Sequence, residues 1–200
     1  MTELRTTSPQ SLDMPIDHFD LISGLYNKTS HFSPPAPLID MLGLPSKGLL
    51  LDAGGGTGRV ACSLRSMVRE VMVADLSRGM LRYAADKGLS TACAPAEHLP
   101  FISSAFDRVI MVDALHHVFD QRKTIIELLR VLAPGGRIVI VEPDIHKFAV
   151  KLIAIGEKMF FMRSNFLPVE KIAALFADQN IHVWVISYEF NVWICAEKVR

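Results

Sequence analysis

The sequence has no excess of charge of either sign, because lysine and arginine number 21 together and so do aspartate and glutamate. A chain with this balance lacks the overall positive field that draws proteins to nucleic acids and to anionic membrane surfaces. We therefore expect no nucleic-acid partner.

Cysteines and long apolar runs are also scarce. Cys62, Cys93 and Cys195 lie far apart and are odd in number, so they suit a reduced compartment, and we expect all three to be packing residues. No uninterrupted apolar run approaches the ~20 residues that span a bilayer. The first residues also lack the apolar core of a secretory signal. These absences predict a cytoplasmic protein without stable membrane insertion.

Half of the 200 residues are hydrophobic, which is enough for the core of one domain. Short, continuous apolar runs begin at Leu49, Val71, Arg108 and Arg137, as in strands that are covered on both faces. Helical segments separate them, such as Ser77 to Lys87 with Ser77 as its N-cap. This alternation predicts an α/β protein with a doubly wound, mostly parallel sheet.

Two strand-like segments near the end of the chain, HVWVISYEF and NVWICAEKV, almost touch. A parallel crossover needs a dozen or more residues, so these two segments must form an antiparallel hairpin. One strand near the C-terminus therefore runs against the others.

A glycine-rich turn, LLLDAGGGTGRVA, follows the first predicted strand. Its spacing is G-x-G-x-G, formed by Gly54, Gly56 and Gly58. Arg59 stands where the dinucleotide fingerprint has its third glycine, and no Lys-Ser or Lys-Thr follows as in a phosphate-binding loop. Since ligands of parallel sheets bind at the carboxyl ends of the strands, the turn indicates a ligand site. The spacing argues against a nicotinamide dehydrogenase.

Asp75 ends the next predicted strand. A carboxylate there lies about where the ribose of an adenosine would sit, and it can accept hydrogen bonds from both sugar hydroxyls. The glycines and Asp75 together indicate an adenosine ligand without a pyrophosphate. We expect Asp75→Ala to weaken binding of this ligand while the melting temperature of the empty protein stays nearly unchanged.

Four segments are the most specific feature of the chain: LLLDAGGGTGRVA, VADLSRGML, APAEHLPFISSAFDRVIMVDALHHV and ELLRVLAPGGRIVIVEPD. In order and spacing they resemble the class I S-adenosylmethionine-dependent methyltransferases, in the small-molecule branch that includes the ubiquinone and menaquinone C-methyltransferases. The resemblance covers roughly Phe19 to Asp144. It implies a Rossmann-like sheet of seven strands and S-adenosylmethionine as cofactor.

The resemblance also implies roles for single residues. Asp52 and the glycine turn would meet the methionine part of the cofactor, Asp75 would hold the ribose, and Leu76 and Met80 would enclose the adenine. Pro95 departs from the family, which commonly has at this place an aspartate that accepts from the adenine amino group. The expected cofactor-binding set is Asp52, Gly54, Gly56, Gly58, Asp75, Leu76, Met80, Ala96, Glu97 and Asp113.

His116 and His117 are the candidate catalytic residues. Methyl transfer from a sulfonium is an in-line displacement, which needs a general base only when the acceptor must lose a proton. Both residues follow the fourth strand, and histidine as a residue type is the usual general base near neutral pH. Alternatively the pair is scaffold, with one ring under the cofactor and the other bonded to backbone. The remaining histidines have no partner at ligand spacing, so we expect no metal site.

Two segments are expected to cover the site, residues 17–32 and residues 146–166. The second is rich in Phe and Met, which suits either an adaptable apolar pocket or a helix packed on the core. Asp113 is followed by Ala114 and Leu115 rather than by the Pro-Pro-aromatic sequence of enzymes that methylate nucleic-acid amino groups. Both covers are short relative to those of quinone methyltransferases, so a quinone is only one candidate acceptor.

We interpret the chain as a single methyltransferase domain. It divides into a tail and lid helix (1–45), a cofactor-binding core (46–142), a substrate-cap insertion (143–167) and a last helix with a hairpin (168–200). The predicted function is methyl transfer to a small apolar acceptor such as a quinol, a lipid or a secondary metabolite. The alternative is a binding module that keeps the cofactor but performs no chemistry. The sequence does not indicate an oligomeric state.

Overall fold

A computed structural model of the protein describes residues 34–147, 165–177 and 180–199. One sheet of seven strands has the order β3-β2-β1-β4-β5-β7-β6. The strands are β1 (Leu49–Ala53), β2 (Glu70–Asp75), β3 (Ser90–Cys93), β4 (Phe106–Val112), β5 (Leu132–Pro143), β6 (Ile181–Tyr188) and β7 (Asn191–Lys198). The α-helices are α1 (Ala36–Leu42), α2 (Arg59–Leu64), α3 (Arg78–Asp86), α4 (Gln121–Val131) and α5 (Val169–Ala174), with short 3-10 turns at Arg65–Met67 and Leu115–His117.

The first five strands of the sheet are mutually parallel, and β7 runs antiparallel between β5 and β6. This arrangement confirms the predicted fold class and the C-terminal hairpin. Strand β1 lies inside the sheet, since it pairs with β2 on one side and with β4 on the other. Its apolar side chains alternate between two buried clusters, with Leu51 on one face of the sheet and Leu50 on the other. The helices therefore cover both faces.

Two elements differ from the sequence prediction. Strand β5 begins at Leu132 rather than at Arg137, because Leu132 pairs with Phe106 before the register shifts. Helix α1 was not predicted. It buries Leu38, Met41 and Leu42, and it lies in the segment interpreted as tail and lid.

The prediction that all three cysteines are packing residues is wrong for Cys93. Cys195 is buried and Cys62 is half-buried, but Cys93 is exposed. Its strand β3 lies at the edge of the sheet and pairs with β2, and the Cys93 thiol contacts the carbonyl oxygen of Leu76 at 3.5 Å.

Over the described part of the chain, no helix has the length and hydrophobicity to cross a membrane. The predicted cover at 17–32 lies outside the described residues, as does most of the cover at 146–166.

Candidate functional site

The glycine turn joins β1 to α2 at the carboxyl edge of the sheet. The backbone N–H groups of Gly54 and Gly55 both donate to the Ala74 carbonyl, at 2.7 and 3.3 Å, and the Gly58 N–H donates to the Gly55 carbonyl at 2.9 Å. Lys87 Nζ donates to the Thr57 carbonyl at 2.9 Å. The turn is therefore tied to β2 and to the end of α3.

Gly58 allows α2 and α3 to meet closely. It has a left-handed φ of 71°, and a Cβ there would lie 2.4 Å from Leu89 Cδ1 and 3.1 Å from Ala84 Cβ. A side chain at this position would be strained in its backbone and would also collide with its neighbours. The third glycine of the G-x-G-x-G pattern thus serves packing as well as the turn.

Asp52 lies beneath the turn and is only 1% exposed. A Cβ on Gly55 would fall 2.5 Å from its carboxyl carbon, so the carboxyl group is packed against bare backbone. Its Oδ2 atom is buried without a hydrogen-bond partner. Burial raises the pKa of Asp52 from 3.8 to about 7, the N–H of Ala61 opposes this rise, and the Asp75 carboxylate adds to it.

The Asp75 carboxylate accepts hydrogen bonds from the glycine turn and from the residue that precedes α3. Its Oδ2 accepts from the Gly56 N–H and its Oδ1 from the Ser77 N–H, each at 2.8 Å. Ser77 in turn caps α3 by accepting from the Met80 N–H at 3.1 Å, as predicted for this N-cap. A carboxylate can accept about four hydrogen bonds, so bracing the turn and binding a ribose are compatible. The expectation that Asp75 contributes little to stability does not fit these contacts.

The residues that are expected near the adenine differ in their exposure and in their contacts. Leu76 is 45% exposed, whereas Met80 is 6% exposed. The Met80 sulfur lies only 3.0 Å from the point at which a Cβ on Gly56 would stand. Glu97 accepts from the backbone N–H groups of Phe119 and Asp120, at 2.7 and 3.2 Å. Glu97 therefore links the loop after β3, which also carries Pro95 and the half-buried Ala96, to the loop after β4.

The loop after β4 is organised by Glu142 at the end of β5. Glu142 Oε1 accepts from the N–H groups of Ala114 and Leu115, at 3.1 and 2.8 Å. Its Oε2 lies 2.5 Å from His116 Nδ1, and both side chains are 4% exposed. Asp113 opens the loop with a left-handed φ of 52°. Partial desolvation and the nearby Glu142 raise the pKa of Asp113, although the residue as a whole is exposed.

The two histidines have different environments. The ring of His116 stacks on Phe166 with centroids 4.2 Å apart and contacts the ring of His117 at 3.9 Å. The His116 carbonyl accepts from the Asn165 N–H at 2.7 Å. His116 is thus held by two neighbouring rings and at Nδ1, whereas His117 is half-buried. These contacts favour the scaffold interpretation for His116.

Carboxyl groups dominate the edge of the sheet at which the turn lies. Asp52, Asp75 and Glu142 end β1, β2 and β5, and Asp113 directly follows β4. Within the described ranges, no group of His, Cys, Asp and Glu side chains is placed to hold a metal ion. The carboxyl groups along this edge favour a ligand that carries positive charge.

Sequence reasoning missed Glu142. The signal was present in the segment VEPD, in which Glu142 is an acidic residue at the end of a predicted strand. The same feature singled out Asp75. The structure places Asp52, Asp75 and Asp113 at the carboxyl ends of three neighbouring strands. Gly56 is joined to Asp75, and His116 lies next to His117.

Comparison with known proteins supports the same family. Residues 51–140 match the family described as a methyltransferase domain. The demethylmenaquinone methyltransferase of Clavibacter sepedonicus is 43% identical over 98 residues, which are 46% of this chain and 40% of that protein. The ubiquinone/menaquinone biosynthesis C-methyltransferase UbiE of Haemophilus ducreyi is 33% identical over 135 residues, 62% of this chain and 52% of that protein. The chain spans about half the length of the curated relatives it matches.

A solved structure shows the same fold. The S-adenosylmethionine-dependent methyltransferase of Thermotoga maritima, described as a possible histamine N-methyltransferase, superposes with a TM-score of 0.74 at 22% identity. The match covers 90% of this chain and 98% of that one.

The fold, the glycine turn and the matched region all point to the same class of protein. Residues 51–140 match a methyltransferase domain, in agreement with the class I S-adenosylmethionine-dependent methyltransferases that the sequence resembles. S-adenosylmethionine is the cofactor of this class, and the residues present fit it. The unpartnered Asp52 oxygen beside bare glycine backbone can take an ammonium group.

Proposed function

We propose that this protein transfers a methyl group from S-adenosylmethionine to a small, apolar acceptor. The observation that carries the proposal is the glycine turn set among the carboxyl groups of β1, β2, β4 and β5, without the lysine of a phosphate-binding loop. When bound, the cofactor supplies a methyl group on a sulfonium, and it also carries an ammonium group. A negative site complements both positive charges.

Each part of the cofactor has a proposed partner. Asp52 would bind the ammonium group, and the glycine turn would let the methionine part approach the backbone. Asp75 would bind the ribose hydroxyls, and the exposed side chain of Leu76 would cover one face of the adenine. Pro95 has no side-chain acceptor, so adenine would be recognised through backbone and apolar contact. The full proposed set remains Asp52, Gly54, Gly56, Gly58, Asp75, Leu76, Met80, Ala96, Glu97 and Asp113.

The acceptor we propose is a quinol-type ring. The relatives' names refer to demethylmenaquinone and to ubiquinone and menaquinone biosynthesis. A large apolar side chain is also exposed in the loop after β4, where Phe119 is 76% exposed. A ring carbon or hydroxyl must lose a proton when it is methylated. We assign the removal of that proton to His117, whereas His116 and Glu142 hold the loop after β4 in place.

Calorimetric titration with S-adenosylhomocysteine tests the cofactor site. We expect binding and a rise in melting temperature at millimolar ligand, whereas NAD should give neither. No heat and no stabilisation by S-adenosylhomocysteine would reject the proposal.

Turnover tests the chemistry separately. The protein, with methyl-labelled S-adenosylmethionine and a demethylated naphthoquinol, should give methylated quinol and S-adenosylhomocysteine in equal amounts. Binding without turnover across quinols, phenols and lipids would instead favour the non-catalytic module.

A further inference from the structure

We propose that Asp52 is a neutral carboxylic acid in the empty protein and that it gives up its proton when the ammonium group of the cofactor binds. Cofactor binding is then coupled to the release of one proton to solvent. This inference rests on the proposed function, because it requires S-adenosylmethionine to occupy the glycine turn.

The first support is the position of the carboxyl group. Asp52 is 1% exposed and its Oδ2 atom has no partner, although the strand around it is fully paired with Val73 and Ile110 on either side. An ionised carboxylate buried with one oxygen unpaired is strongly disfavoured, whereas the neutral acid is tolerated.

The second support is the wall that keeps solvent from this group. The carboxyl group lies so close to Gly55 that a methyl group there would stand 2.5 Å from its carboxyl carbon and 2.7 Å from Oδ2. Bare glycine backbone therefore lies directly against the carboxyl group. An ammonium group bound at the turn supplies the missing partner of Oδ2 and a full positive charge.

The charged groups that face Asp52 act in opposite directions. From β2, the Asp75 carboxylate disfavours a second negative charge, and from α2, Arg59 favours it. The Ala61 N–H in α2 also favours the ionised form. Burial outweighs these contributions, which places the pKa of Asp52 near 7 in the empty protein. Bound ammonium reverses the balance, so the O–H bond of the acid breaks, its proton passes to buffer and the carboxylate remains paired with the cation.

Proton release can be counted by titrating S-adenosylhomocysteine into the protein by calorimetry in two buffers of different ionisation enthalpy. With a pKa of about 7, we expect about 0.9 proton released per ligand at pH 6 and about 0.1 at pH 8. The affinity should be about tenfold higher at pH 8 than at pH 6.

Matched variants identify the source of the proton. Asp40→Asn removes an exposed carboxylate of α1 that lies outside the proposed site, and it should leave the proton count unchanged. Asp52→Asn should abolish the release. If Asp52→Asn does not fold, loss of a protonated-carboxyl infrared band when S-adenosylhomocysteine binds to the unaltered protein gives the same information.

The outcomes separate the two proposals. Absence of S-adenosylhomocysteine binding rejects the proposed function. Binding with no proton released at pH 6, or with release that persists in Asp52→Asn, overturns this inference and leaves the function standing.

Discussion

Asp75 braces the fold at the position where we propose that it also binds the ribose. Its two oxygens accept from Gly56 in the turn and from Ser77 at the start of α3. A strand-end carboxylate that faced only water would have no such partners. The side chain therefore positions the turn before any cofactor arrives, which is the condition for binding without rearrangement.

Two substitutions at Asp75 separate these contributions. Asp75→Ala leaves both backbone N–H groups without their acceptor, so we expect the free energy of unfolding to fall by about 1 to 3 kcal/mol. Its affinity for S-adenosylmethionine should fall at least about tenfold, since charge-assisted bonds are lost. Asp75→Asn keeps one acceptor oxygen and should restore part of the stability but little of the affinity. Urea denaturation and calorimetry measure the two effects, and an unchanged affinity in both variants would take Asp75 out of the site.

Which carboxylates share this edge of the sheet could be predicted from the sequence, but their partners could not. Asp52 and Asp75 follow apolar runs, and strand ends of a parallel sheet share one edge. The contact of Glu142 with His116 depends on how far β5 extends relative to β4, which no local pattern encodes. The burial that isolates Asp52 likewise comes from the turn folding over it.

At the scale of elements, the turn between β1 and α2 depends on glycine for two separate reasons. Gly58 and Gly88 have similar left-handed φ values, 71° and 76°, but a Cβ on Gly58 would meet Leu89 whereas a Cβ on Gly88 would meet nothing within 4 Å. A comparison of substitutions at Gly58 and Gly88 therefore distinguishes the cost of backbone strain from the cost of a steric collision.

Replacing each glycine by alanine tests this distinction. Gly88→Ala should lower the free energy of unfolding by about 1 kcal/mol, from backbone strain alone. Gly58→Ala should lower it by about 2 to 4 kcal/mol, because overpacking adds to the strain, and it should also weaken binding of S-adenosylhomocysteine. Chemical denaturation measures both variants, and equal losses would show that the contact with Leu89 is relieved at no cost.

Elements with a strong local pattern were predicted well. Helix α3 was expected at Ser77 to Lys87 and spans Arg78–Asp86 with Ser77 as N-cap. Helix α1 was missed because it is short and distant parts of the chain hold it. Arg108 donates to the Leu42 carbonyl, and Arg137 and Cys195 donate to the Met41 carbonyl at 3.4 and 3.5 Å. Only the flanking prolines and Gly43 marked its ends in the sequence.

At the scale of the whole molecule, two buried acids act on stability in opposite directions. The hydrogen bond from Arg130 holds the pKa of Glu127 below its ordinary value of 4.5, so its contribution is present above that value and is lost in acid as the pH falls through the lowered pKa. Asp52 has a raised pKa, so the folded protein holds a proton that the unfolded chain loses near pH 3.8. Its ionisation therefore costs stability as the pH rises towards about 7.

The Asp52→Asn variant, compared with the unaltered protein in the absence of cofactor, isolates the effect of Asp52 on stability. Between pH 4 and pH 8, the free energy of unfolding of the unaltered protein should fall relative to that of the variant by up to about 4 kcal/mol. Most of this change should occur below pH 7. The contributions of the other titrating groups are the same in both proteins and cancel in the difference between their free energies of unfolding. Urea denaturation across this range measures it. Curves that stay parallel would mean that Asp52 is ionised throughout.

The antiparallel place of β7 has a consequence for how the chain is made. Strand β5 ends at Pro143, but its second neighbour β7 begins only at Asn191. Until the ribosome has delivered β7, one side of β5 keeps unpaired backbone groups next to the apolar run of Ile138 to Val141. Such an edge pairs readily with other chains. We therefore expect the nascent chain to be prone to aggregation in the interval before β7 emerges.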